Sequence, residues 1–203
     1  MLSGVDVVVE PRSSLAVTGP SGSGKSTLLH IMAGLIRPTA GRVSFEGRRI
    51  DDLSERERAE HRLSRLGFVF QFGELVPELT VLENVELPLR LAGAPLQQAR
   101  RQARTLLEEL GVADHAGKRL AEISGGQTQR IAVARALVND PAVVIADEPT
   151  GALDDANSAV VLRLLLDAVR RHGASLVLAT HDPDVARHCD QVLTLAAGTL
   201  VPA

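Results

Sequence analysis

Leu15-Ala16-Val17-Thr18-Gly19-Pro20-Ser21-Gly22-Ser23-Gly24-Lys25-Ser26 decides how this chain is read. A short β-prone run, Leu15 to Thr18, enters a glycine-rich turn, and a helical pattern follows from Lys25 to about Leu35, punctuated by Gly34 and Pro38. Gly19 to Ser26 fits GxxxxGK[ST], the phosphate-loop pattern, in the strand–loop–helix setting that its mechanism needs. Glycines let backbone N–H groups curl around phosphate oxygens at the positive end of the following helix. Lys25 adds an ammonium, and the Ser26 hydroxyl can ligate Mg2+. Lys25 and Lys118 are the two lysines among 22 basic residues. Arginine is no substitute where a compact charge must enter a phosphate cradle. A coincidental glycine-rich turn fits the same letters, and the flanking strand and helix favour the phosphate reading.

Outward from that loop, apolar β-rich runs alternate with helical patterns, which predicts an α/β fold with a mainly parallel sheet. Val5 to Val9, Gly67 to Phe70, Val143 to Ala146 and Ser175 to Ala179 read as strands, and Gln191 to Val201 as a closing strand pair. Ser54 and Glu57 form a capping box at the head of a charged helix, Glu55 to about Arg65. From Thr80 to Leu137 the pattern is helical nearly throughout, with Thr80 and Pro95 as starts and Gly93 and Gly111 as stops. That block predicts a lobe inserted into the α/β chain. A long amphipathic helix runs from about Asp155 to His172, stopped by Gly173, and Asp182-Pro183 caps a short one. The expected division is one domain, with an α/β core at about 1–79 and 140–203 and a helical subdomain at about 80–139.

Composition narrows the class. The 203 residues carry a formal net charge of −3, with four Phe and neither Tyr nor Trp. A mildly acidic chain with so few aromatics lacks the basic surface and stacking platforms of a nucleic-acid binder. No apolar stretch approaches the roughly 18–20 residues that span a bilayer, and Asp6 and Glu10 interrupt the N-terminal run that a signal peptide would need. The single Cys189 excludes a disulfide framework and reads as a buried neutral thiol. The expected location is the cytosol.

Two further stretches carry chemistry. Val143 to Ala146 leads into Asp147-Glu148, which puts carboxylates at the edge of the sheet where the phosphate loop also ends. Asp147 suits Mg2+, and Glu148 suits a general base that polarises an attacking water. A strand followed by an acidic pair at a helix start fits these residues too. Ile123-Ser124-Gly125-Gly126-Gln127-Thr128-Gln129-Arg130 sets small residues at a helix start, where exposed N–H donors can meet a phosphate. The chain already holds one phosphate loop, so a second phosphate-reading helix start suggests a site completed by another subunit. A serine N-cap with two glycines before a core helix is the plainer reading.

At these residues the chain resembles the nucleotide-binding subunit of an ATP-binding cassette (ABC) transporter over essentially its whole length. Gly19 to Ser26 is similar to that family's Walker A, and Val143 to Glu148 to its Walker B. Ser124, Gly125, Gly126 and Gln127 resemble the family signature, with Ile123 in place of the usual Leu. Gln71 stands where the family's Q-loop glutamine is expected, Gly151-Ala152-Leu153-Asp154 resembles the D-loop, and His181 matches the switch histidine.

The resemblance implies a P-loop NTPase core with an inserted helical subdomain, and ATP and Mg2+ as cofactors. It implies that Gly19, Pro20, Ser21, Gly22, Ser23, Gly24, Lys25, Ser26 and Thr27 hold ATP. Ser26, Gln71 and Asp147 would serve the metal, and Glu148, His181, Gln71 and Lys25 the hydrolysis. Two cassettes would pack head to tail, with the signature acting in trans and Asp154 in the D-loop. Dimer closure would drive a separate integral membrane permease at the inner face of the membrane. Gln71 to Val85 resembles cassettes of lipoprotein-release, macrolide and antimicrobial-peptide export systems. Cell-division cassettes resemble these too, so the alternative function is an ATP-gated non-transport regulator, or a weakly hydrolysing cassette that lacks an adenine-stacking aromatic. One departure stands out. The family carries an aromatic residue upstream of the phosphate loop that stacks on adenine, worth roughly 1–3 kcal/mol, whereas the first Phe here is Phe45.

Overall fold

A computed structural model describes residues 2–203. Its main sheet has six strands in the order β4-β5-β6-β1-β7-β8. These are β1 (Ser14–Thr18), β4 (Leu66–Phe70), β5 (Val143–Asp147), β6 (Ser175–Ala179), β7 (Gln191–Ala196) and β8 (Thr199–Pro202). All neighbours are parallel except the closing β7–β8 hairpin. The central strands read as unbroken apolar runs because both faces are covered. Leu15, Val17, Ile145, Val177 and Ala179 pack with Leu28 and Leu29 of α1 (Lys25–Met32) on one face. Val144, Ala146, Leu176 and Leu178 point the other way, into the larger cluster.

That cluster is built with α3 (Val81–Leu91), α4 (Leu96–Glu109), α5 (Gly125–Leu137) and α6 (Asp155–Arg171). The helices begin where their caps predict. Thr80 and Glu83 form a reciprocal capping box on α3, as Ser54 and Glu57 do on α2 (Glu55–Arg65). α7 (Pro183–Ala186) follows Asp182, whose carboxylate accepts from Asp184 N at 2.8 Å. No helix among the described residues is long and apolar enough to cross a membrane.

Two expectations are corrected. Val5 to Val9 forms no strand, although its alternation is real: Val5, Val7 and Val9 pack on the core while Val8 is exposed. Both sides of β1 are already taken by β6 and β7, so the segment has side-chain anchors but no ladder. Helix does not run nearly throughout 80–137. Between Gly111 and Ser124 the chain makes only the short 3-10 turns Ala113–His115 and Leu120–Glu122. This loop supplies the carbonyls of Lys118 and Ala116 to the N–H groups of Val81 and Leu82, donors that the first turn of α3 cannot satisfy itself. The structure also holds a hairpin that hydrophobic pattern does not reveal, β2 (Ser44–Phe45) with β3 (Arg48–Arg49). Glu46 and Gly47 turn it at φ 49° and 78°, the paired positive angles of a tight primed turn.

Candidate functional site

Register brings the site together. Phe70 pairs with Asp147, Asp147 with Ala179, and Ala179 with Val17. The loops that begin at Gly19, Gln71, Glu148 and Thr180 therefore leave one edge of the sheet, the carboxyl edge where ligands of open α/β sheets bind.

In the 19–24 loop, a Cβ on Gly19 would stand 2.7 Å from Leu195 O on β7, so only glycine permits this approach. Lys25, 8% exposed, donates from Nζ to Gly19 O at 2.8 Å and Pro20 O at 3.3 Å. The same ammonium lies 3.8 Å from Glu148 Oε1. Ser23 Oγ is buried with no partner among the described residues, while Ser26 and Thr27 are exposed.

At the end of β5, Asp147 Oδ1 is buried and likewise without a partner. An orphaned carboxylate oxygen at the sheet edge where the loop of the exposed Ser26 also begins supplies the hard-oxygen chemistry that fits Mg2+. Glu148 follows at φ 47°, outside the range comfortable for a residue with a side chain. His181 Nδ1 lies 2.9 Å from Glu148 Oε2. The carboxylate is an acceptor, so Nδ1 carries the proton and Nε2 is the free ring nitrogen. Glu148 thus faces the cationic Lys25 with one oxygen and the His181 imidazole with the other. Gln71 is half-buried, its Nε2 3.1 Å from the point that a Cβ on Gly151 would occupy.

The signature-like residues stand apart. None of the hydrogen bonds or ion pairs of Ser124 to Gln127 reaches the 19–27 loop, Asp147, Glu148 or His181 among the described residues. Ser124 is the N-cap of α5, exposed, with a complete capping box: its N–H donates to Gln127 Oε1 at 2.9 Å. The glycines also have a reason within the chain, since a Cβ on Gly126 would meet Asn157 Oδ1 at 3.1 Å. Asp154 caps α6, accepting from Asn157 N at 2.9 Å and Asn157 Nδ2 at 2.7 Å. Those bonds, the backbone one foremost, hold its carboxyl below the usual range. Burial pushes the Cys189 thiol up to about 11, a neutral group.

Sequence reasoning missed two residues of α5. Gln129, 2% exposed, donates to Phe70 O at 2.8 Å. Arg135 donates to Gly73 O and Glu74 O, each at 2.7 Å. Together they fasten the loop that carries Gln71. The signal was present for Gln129, which interrupts an apolar helix face with Ala132 and Ala136 at helical spacing.

Comparison with known proteins agrees with this architecture. The family model for the ABC transporter matches residues 2–151. The lipoprotein-releasing system ATP-binding protein LolD 2 of Caulobacter vibrioides is 48% identical over 98% of this chain and 88% of that protein. LolD of Xanthomonas campestris pv. campestris (strain 8004) is 48% identical over 98% and 84%. The ATP-binding cassette MJ0796, solved as a dimer in a post-hydrolysis state with ADP and Pi, superposes with a TM-score of 0.89 at 37% identity, covering 98% of this chain and 88% of that one. With a phosphate loop, an orphaned Asp147 and a Glu148–His181 pair on one sheet edge, this chain belongs to the ABC transporter family and is one of its ATP-hydrolysing cassettes.

Proposed function

We propose that two copies of this chain, or this chain and a paired cassette, close head to tail on two ATP molecules and so drive a separate membrane protein. In this reading the backbone of Gly19, Pro20, Ser21, Gly22, Ser23 and Gly24, with Ser26 and Thr27, holds the phosphates, and Lys25 turns its ammonium from loop carbonyls to phosphate oxygens. Mg2+, when bound, neutralises charge on the β- and γ-phosphates; Asp147, Ser26 and the Gln71 amide oxygen would hold it. Glu148 takes the proton of the attacking water as general base. His181 orients that carboxylate through Nδ1, and Gln71 lines the same edge. Ser124, Gly125, Gly126 and Gln127 read the γ-phosphate of the other subunit, with Asp154 beside that interface.

The observation that carries the reading is the division of the site. Lys25, Asp147, Glu148 and His181 converge, while the exposed start of α5 presents its N–H donors away from them. Relatives named as parts of lipoprotein-releasing systems support a membrane partner of that class and a place in the cytoplasm at the inner face of the membrane. Residues at about 80–139 act as the lobe that moves with the signature. Glu148→Gln tests the assignment. ATP binding is retained, turnover falls by at least about 100-fold, as for loss of a general base, and an ATP-bound dimer accumulates in sedimentation. Turnover at the parent rate refutes Glu148 as the base.

A further inference from the structure

We infer that His115 is a positioning residue for the signature, acting through Gln127. The inference rests on the in-trans reading of Ser124 to Gln127 given above. Its basis is a chain of hydrogen bonds with one consistent set of donors. Ser124 N–H can only donate, so the Gln127 side-chain atom 2.9 Å away is the amide oxygen. The other end of that amide is therefore an NH2, and it lies 2.8 Å from His115 Nε2. Two donors cannot face each other at that distance, so Nε2 is the acceptor, and His115 is a neutral imidazole with its proton on Nδ1. His115 Nδ1 is buried with no partner among the described residues.

The consequence falls on Ser124. The second arm of its capping box, Gln127 N to Ser124 Oγ, is long at 3.4 Å. The short arm through the Gln127 amide therefore carries most of the cap, and a glutamine amide is a free rotor unless something holds its far end. His115 holds it, from the Ala113–His115 turn. The backbone at Ser124, with φ −72° and ψ 159°, is thereby kept in the one conformation that aims the first donors of α5 outward.

The test uses the full chain in a Glu148→Gln background, where the ATP concentration that half-assembles the dimer is read by sedimentation and ATP binding to the monomer by thermal shift. His115→Ala is expected to raise the half-assembly concentration about fivefold, the worth of one ordinary hydrogen bond of about 1 kcal/mol, with monomer binding unchanged within twofold. His115→Gln, whose side-chain oxygen can accept from the same NH2, restores assembly to within twofold. Gln127→Ala combined with His115→Ala is no worse than Gln127→Ala alone, because the two residues act in series. Assembly by His115→Ala at the parent concentration overturns the inference, as do a His115→Gln no better than alanine or additive losses in the double variant. Ser124→Arg separates the two levels. If it blocks assembly while His115→Ala does not, the trans signature stands and His115 has no part in it; if it assembles normally, both fall.

Discussion

Six residues other than glycine hold a positive φ among the described residues, and one of them, Glu148, lies at the candidate site. Glu46 and Ala197 precede glycines in hairpin turns, where the geometry demands that angle. Arg12, at φ 60°, is the third residue of the Glu10–Ser13 turn, closed by Ser13 N–H to Glu10 O at 3.2 Å with Pro11 before it, a place where glycine is favoured. An L-residue there costs about 1–2 kcal/mol, and glycine returns about 0.5–1 kcal/mol of that as lost chain entropy. Arg12→Gly should therefore stabilise the chain by about 0.5–1 kcal/mol in urea unfolding, since the bond from its backbone N–H to Ser175 Oγ survives. Glu148 carries the same strain at the site, where it sets a carboxylate between Lys25 and His181. Asp51 gives a pH test. The Arg49 side chain and then Val43 N–H lower its pKa from 3.8 to about 2. As pH falls the unfolded chain takes up that proton first, so the carboxylate's contribution is complete above about pH 4 and is lost between about pH 4 and 2. The stability gap between parent and Asp51→Asn should be constant near neutrality and close across that window. An undiminished gap at about pH 2 refutes the assignment.

At the scale of elements, α5 joins two functional loops. Its start carries the proposed signature, and Gln129 and Arg135 farther along hold residues 70–74. Burial lowers the pKa of Arg135, and its two carbonyl partners are what the buried guanidinium has in exchange for water. Arg135→Ala should cost about 1.5–3 kcal/mol, the range for hydrogen bonds to a charged group, with hydrogen exchange rising most in 71–75. Unchanged exchange there would mean that the loop is held by its own turn. The capped helices were legible because a cap is a local bargain: Thr80 with Glu83, or Ser54 with Glu57, closes within four residues. Asn84 was not. It lies fully buried in an apolar run and takes Val76 N and the carbonyls of Val76, Leu79 and Thr80, bonds that close a preceding loop no periodicity describes.

At the scale of the molecule, the proposed function makes the site of one chain half of a whole. The sheet edge gathers the loops that begin at Gly19, Gln71, Glu148 and Thr180, while none of the hydrogen bonds at the start of α5 reaches them among the described residues. Ser124→Arg places a bulky cation at an exposed N-cap. It should leave ATP binding to the monomer intact, reduce turnover to the level of isolated monomers, and cost about 1 kcal/mol of helix stability from the altered cap. ATP-dependent assembly by this variant equal to the parent would remove the trans role of the signature.

The residues alone determined the strand–loop–helix at Gly19 to Ser26, the central strands and the helix caps, because each depends on neighbours within a few positions. Tertiary structure decided what depends on partners far along the chain. Val5 to Val9 alternates like a strand, yet β6 and β7 occupy both sides of β1, so no ladder is left for it. Gln129, Arg135 and His115 gain their hydrogen bonds only when folding brings distant polar groups, the carbonyls of Phe70, Gly73 and Glu74 and the Gln127 amide, within reach. Hydrophobic pattern sets which face is buried; which polar group a buried donor meets is a matter of register between elements, and register is a property of the assembled sheet and helices.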